Sequence, residues 1–134
     1  MIGYINFTAP SRAISINEAN KMHWANRRLH NIPWRETFRA AYRAANLQPV
    51  NVPIIVAVSI PFERNSRRDP HNYVGTVVKT LVDVLVNEGY IKDDTHEYVT
   101  ILEPELRVDK SGAVHVMIYE RTLENYPWGF FDHE

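Results

Sequence analysis

Asp69, His71 and Asn72 stand just before a long apolar run, Lys79 and Asp83 lie four residues apart within it, and Asp93 and Asp94 follow it. These residue types could together hold a cation and a phosphate. Adjacent aspartates on a loop repel unless a positive charge sits nearby, and a hard divalent ion is an economical remedy. Magnesium in phosphoryl-transfer sites commonly takes one or two protein carboxylates, with water and substrate oxygens completing its shell, so Asp69 and Asp94 would suffice in number. The same residues also admit a purely structural reading. Asp69 followed by Pro70 makes a good helix cap with proline at the first helical position. Asp93-Asp94 suits a turn, and Lys79 with Asp83 suits an i, i+4 ion pair worth roughly 0.3 kcal/mol on a solvated face. Spacing alone leaves both readings open.

The element that must position these groups is a helix over Pro70 to Glu88. Val74, Val77, Val78, Leu81, Val82, Leu85 and Val86 follow helical spacing without a miss. The polar residues Asn72, Thr76, Lys79, Asp83 and Asn87 fall on a narrow opposite stripe, and Gly89 is a natural left-handed stop. Upstream, the alternation in Gly3 to Thr8 predicts a short strand. Ser11 to Asn31 reads as a polar loop with room for one helical turn. Pro33 suits a first helical position, and Trp34, Phe38, Ala41, Tyr42 and Ala45 predict a helix over Trp34 to Asn46 with one buried stripe. Val52 to Phe62 is dense in Val and Ile and predicts a buried strand. Tyr98 to Leu106 and Ala113 to Arg121 predict two more strands, joined as a hairpin through Val108 to Gly112. The order is β-α-β-α-β-β, an α+β fold with a mixed sheet covered by helices. The aromatic tail Tyr126 to Phe131 is expected to cover its own core.

With 134 residues and 45% hydrophobic content, the chain has the size of one globular domain, 1–134. It has no cysteine, so thiolate metal sites and disulfides are excluded and any metal is held by oxygen or imidazole. No apolar stretch is long enough to span a bilayer, and the expectation is a soluble, cytoplasmic protein with no membrane partner. The net charge of -1 conceals a division between Arg68 and Asp69: residues 1–68 hold ten basic and three acidic side chains, residues 69–134 five basic and thirteen acidic. Such a chain can offer a basic surface to a polyanion beside a cluster of carboxylates. The candidate nucleic-acid contacts are Arg64, Arg67, Arg68, Arg27, Arg28, Arg35, Arg39 and Asn72, with Arg43 extending the helical arginine stripe. His71, His23 and His30 lack the spacing that would make a histidine-based metal motif credible.

The run Arg67-Arg68-Asp69-x-x-Asn72, then Lys79-x-x-x-Asp83-x-Leu85, then Gly89-Tyr90-x-x-Asp93-Asp94, resembles the signature region of the RusA family of Holliday junction resolvases. It covers about a fifth of the chain. A weaker likeness lies in Ser15-Ile16-Asn17 and His23-Trp24-Ala25, which resemble the segment before the first helix in many members. The resemblance implies a RusA-like fold and a magnesium-dependent endonuclease acting on four-way DNA junctions in recombination and repair, working as a homodimer. It implies that Asp69 and Asp94 bind the metal, that Lys79 is the catalytic lysine, and that Asp83 and Asn72 match the helical aspartate and the asparagine near the helix start. His71 stands where many members have a further aspartate, and Asn72 to Lys79 is four residues longer than in the shortest family form. Asp93 or His71 could supply the missing ligand, and an imidazole would tilt the site toward manganese. The alternative is a RusA-like DNA-binding module without catalysis, in which Asp69 serves only as a helix cap.

Overall fold

A computed structural model describes residues 1–126 of the chain, so the aromatic tail from Pro127 onward lies outside the described residues. The elements run β1 (Gly3–Thr8), α1 (Ile16–Lys21), α2 (Trp24–Ala45), β2 (Ile54–Phe62), a 3-10 turn (Pro70–Tyr73), a π-turn (Val74–Val78), α3 (Lys79–Asn87), β3 (Val99–Ile101), β4 (Glu105–Val108) and β5 (Ala113–Glu120). This is a single α+β domain with a mixed five-stranded sheet. β5 lies between β1 and β2 and is antiparallel to both, while β3 and β4 run parallel to successive halves of β2 on its other side.

β1 alternates buried and exposed residues as its sequence requires. Ile5 and Phe7 from β1, Ile54, Val56, Val58 and Ile60 from β2, and Val114, Val116 and Ile118 from β5 point to one sheet face. Trp34, Phe38 and Tyr42 of α2 and Val78, Leu81, Val82 and Leu85 of the α3 run close over them. The opposite face carries polar contacts instead, including Tyr4 stacked on His115 with its hydroxyl 2.6 Å from His115 Nδ1.

Several expectations are corrected by the structure. The stretch 11–31 is mostly helical. Ser15 and Glu18 form a reciprocal capping box that starts α1, and His23 Nδ1 accepts from the Ala25 amide at the start of α2. α2 therefore begins at Trp24, not Trp34, and Pro33 lies in its interior. An interior proline removes one backbone hydrogen bond. Both Pro33 and Leu29, whose carbonyl loses that partner, are exposed, so water can replace it.

The predicted hairpin does not form. β4 and β5 sit on opposite sides of β2, and residues 109–112 cross the end of β2, where the Asp109 amide donates to the Phe62 carbonyl at 2.9 Å. The strand expected over Tyr98 to Leu106 is broken into β3 and β4 by Leu102 to Pro104, and proline cannot donate to a sheet ladder.

The central helix does run from Pro70 to Asn87, but its first two turns are wound differently. Thr76 is buried rather than on a solvated stripe, with its hydroxyl donating to the Ile14 carbonyl at 2.6 Å. Thr80 likewise donates to the Thr76 carbonyl at 2.7 Å. The Thr76 bond ties the wide turn to the segment after β1, and Val74–Val78 are accommodated there as a π-turn. Gly89, at φ +80°, ends α3 in the left-handed region and turns the chain toward Asp93 and Asp94.

Candidate active site

The wide turn delivers Lys79 to the first position of α3, half-exposed. Its ammonium meets the Asp83 carboxylate one turn on at 3.3 Å and forms a direct ion pair with Asp94. Fifteen residues separate Lys79 from Asp94, so this contact depends on the return after Gly89. Asp93 is exposed, and its carboxylate accepts the Asp94 amide at 2.8 Å, which holds the loop. The cation beside the aspartate pair in this structure is thus Lys79.

Asp83, Asp93 and Asp94 line a cleft of about 490 Å³, closed on its far side by Arg35, Glu36 and Arg39 of α2. Every charged donor in this cleft that could meet a cation is a carboxylate oxygen, the chemistry of a hard ion such as magnesium. No cluster of three or more His, Cys, Asp or Glu residues in metal-binding geometry is present among the described residues. A cation here would therefore depend on substrate oxygens and water to fill its shell.

Asp69 lies elsewhere. It precedes the 3-10 turn, with Pro70 at the first position, and its side chain makes no capping hydrogen bond. Its backbone carbonyl accepts the Asn72 amide at 3.0 Å, so the carboxylate remains free. Asp69 and Asn72 line a second cleft of about 350 Å³ with Arg12, Asn17, Glu18, Arg67 and Arg68. Ten residues of helical chain separate Asp69 from Lys79, a backbone rise of roughly 15 Å at ordinary helical pitch. The Lys79 side chain leans back along part of that distance, because helical side chains tilt toward the N-terminus. His71 is exposed and lines neither cleft.

Sequence reasoning missed Arg12 in the second cleft. Its guanidinium grips Glu18 at 2.6 Å and 3.1 Å, and that hydrogen-bonded pair holds the Glu18 carboxyl at a pKa of about 2, down from 4.5. A carboxyl lowered by folding stabilises the protein above its unfolded pKa and loses that contribution as pH falls through the folded value. Glu18→Gln, which keeps the capping box, is expected to cost about 0.5 kcal/mol at neutral pH, a small figure because both side chains are largely exposed. The gap from wild type should close as pH falls from 4.5 toward 2, which urea unfolding across that range measures. No local signal marked Arg12, since its partner lies beyond a bend of the chain.

The arginines divide into two groups. Arg68 is structural: its guanidinium lies 3.9 Å over the Phe62 ring and donates to the Arg64 carbonyl at 3.0 Å. Arg43 binds Glu88 at 2.6 Å, and Arg39 bridges Glu36 and Glu88, tying α2 to α3. The Arg43 hydrogen bond is the main cause holding the Glu88 carboxyl below its usual range. By contrast, the side chains of Arg27, Arg28, Arg35, Arg64 and Arg67 make no ion pair or hydrogen bond among the described residues. Arg64 and Arg67 are exposed on the loop before Asp69. A further network joins Arg107 to Ser59 at 2.6 Å and to Asp109 at 3.0 Å on the sheet's polar face.

In comparisons with known proteins, no protein-family model matches the chain and no curated protein matches its sequence. No helix among the described residues is long and apolar enough to cross a membrane.

Proposed function

We propose that this chain is a RusA-like, magnesium-dependent endodeoxyribonuclease that nicks four-way DNA junctions as a homodimer. The observation carrying this reading is the Lys79–Asp94 contact, made across the return loop and shared with Asp83. Half-exposed ion pairs contribute only about 0–1 kcal/mol to a fold. The core holds α3 without them, so stability gives little reason to assemble a lysine and three acids at one cleft. The free Asp69 carboxylate is a second support, since the capping role that would explain it structurally is not taken up.

In this reading a phosphodiester enters between the α2 arginines and the α3 acids. Arg35 neutralises its non-bridging oxygens, and Lys79, steadied by Asp83, leaves Asp94 to meet negative charge developing at phosphorus or on the leaving oxygen. Asp94 and Asp93 would hold the cation, and Asp69, in the second cleft, would be a further carboxylate ligand. The bound ion supplies Lewis acidity toward the phosphate and acidifies water. Arg64 and Arg67 grip the backbone beyond, giving salt-sensitive binding with little base readout. Paired nicks in strands related by two-fold symmetry call for two copies of the chain.

The separation of Asp69 and Asp94 into two clefts favours a second reading, a DNA-binding module of the same fold without catalysis. A labelled synthetic four-way junction separates the two. Wild type with magnesium or manganese is expected to release nicked duplexes, with none in EDTA. Tight junction binding without cutting under either metal would select the silent module.

A further inference from the structure

We infer that the N-terminal half of α2 is a base-stacking platform, on which Trp24 receives an unpaired nucleobase while Arg28 and Arg35 hold the phosphates leading to the Asp94 cleft. None of the ten residues from Trp24 to Pro33 is buried, whereas Trp34, Phe38 and Tyr42 further along the same helix are. This half therefore projects beyond the core. It carries Trp24 at 61% exposure, Leu29 at 71% and Ile32 at 40%, an expensive surface for a helix packed on one side. The His23 ring lies 5.6 Å from the Trp24 ring, and the His23 side chain also caps the helix, so the indole is offered from a fixed helix end.

At 100° per residue, Trp24, Arg28 and Arg35 fall within roughly 40° on one face of the helix. Arg35 lines the cleft with Asp83 and Asp94, so this face leads from the candidate active site back to Trp24. The backbone rise between the two is roughly 16 Å, the reach of a few nucleotides. Arg27, Arg28 and Arg35 have no described partners, and Glu36, the acid next to Arg35 on the same helix, is paired with Arg39. The surface is thus cationic and aromatic, which fits a strand with accessible bases, since every base has a π-face. A second copy of this chain fits less well, because a two-fold contact would set free arginines against their own copies.

The inference rests on the nucleic-acid part of the proposed function but not on hydrolysis, and its test is run in EDTA. Wild type, Trp24→Phe and Trp24→Ala are titrated with a single-stranded oligonucleotide, a four-way junction, a continuous duplex and heparin. The difference in tryptophan emission between wild type and Trp24→Phe isolates the Trp24 signal. Quenching of that signal by the single strand and the junction, but not by duplex or heparin, is expected, and Trp24→Ala should weaken single-strand and junction binding about tenfold. Unchanged affinity in Trp24→Ala, or equal quenching by heparin, overturns the platform while leaving the nuclease reading intact. A shift of the DNA-free protein toward monomer in Trp24→Ala, seen by sedimentation, would assign the face to self-association and also overturn it. If wild type binds no nucleic acid at all, both readings fall together.

Discussion

Asp94→Asn is expected to bind a four-way junction as tightly as wild type or more tightly, yet to nick it about a thousandfold more slowly. The binding arm follows from charge, because the substitution removes a carboxylate beside Lys79 from a surface proposed to accept phosphates. The catalytic arm follows from the loss of an oxygen proposed to hold the cation, in a cleft whose donors are already few. Losing one transition-state stabiliser typically costs about 10²–10³ in rate. Lys79→Met should fall in the same range with weaker binding, since it deletes a positive charge rather than a negative one. Asp83→Asn should be milder, about tenfold, because Asp83 only steadies Lys79 at 3.3 Å. Single-turnover cleavage beside a gel-shift titration measures both arms. Because Lys79, Asp83 and Asp94 are all partly exposed, thermal unfolding of the three variants should stay close to wild type. A variant that lost its fold along with its activity would show that the cluster is structural.

The largest stability effect is expected in the core beneath the site. Trp34 is 1% exposed, packs edge-on against Phe7 at 5.9 Å, and donates from Nε1 to the Ser11 hydroxyl at 3.1 Å. Trp34→Ala removes a large buried ring and should cost about 3–5 kcal/mol. Trp34→Phe keeps most of the packing and loses the hydrogen bond, leaving a smaller deficit of about 1–2 kcal/mol. Urea unfolding at neutral pH distinguishes these. Trp34 also bears on the site, because it anchors the helix that presents Arg35 and Arg39.

Periodicity revealed the elements whose one face is buried. The apolar spacing from Val74 to Val86 located the central helix, and alternation located β1 with its observed ends. What it could not reveal was partnership between strands. A period of two marks a residue run as extended but says nothing about which strand lies beside it, so nothing in Ala113 to Arg121 points to β1 and β2 as its neighbours rather than the preceding strand. The start of α2 was hidden because Pro33 is a better first residue than an interior one, and its tolerance depends on an exposed backbone that only the fold discloses. The Ser15-x-x-Glu18 spacing of a capping box stands in the sequence, but it is a short local signal inside a polar stretch without an apolar period.

For the candidate site, Lys79 with Asp83 could be read from helical spacing, since four residues place them on adjacent turns. Asp94 could not, because its contact with Lys79 depends on the reversal after Gly89, and only the resemblance linked them in advance. The π-turn that aims Lys79 depends on Thr76 reaching the Ile14 carbonyl, a tertiary contact spanning 62 residues.

In the proposed reaction Asp94 shares one cation with the phosphate that Lys79 contacts. Anomalous diffraction from crystals of the protein grown with manganese and a short DNA duplex tests it directly. The expected map has a manganese peak in direct coordination with Asp94, with a DNA phosphate oxygen in the same shell and Lys79 turned onto that phosphate. A map with the phosphate bound but no peak on Asp94, and Lys79 still paired to its carboxylate, would rule this shared cation out.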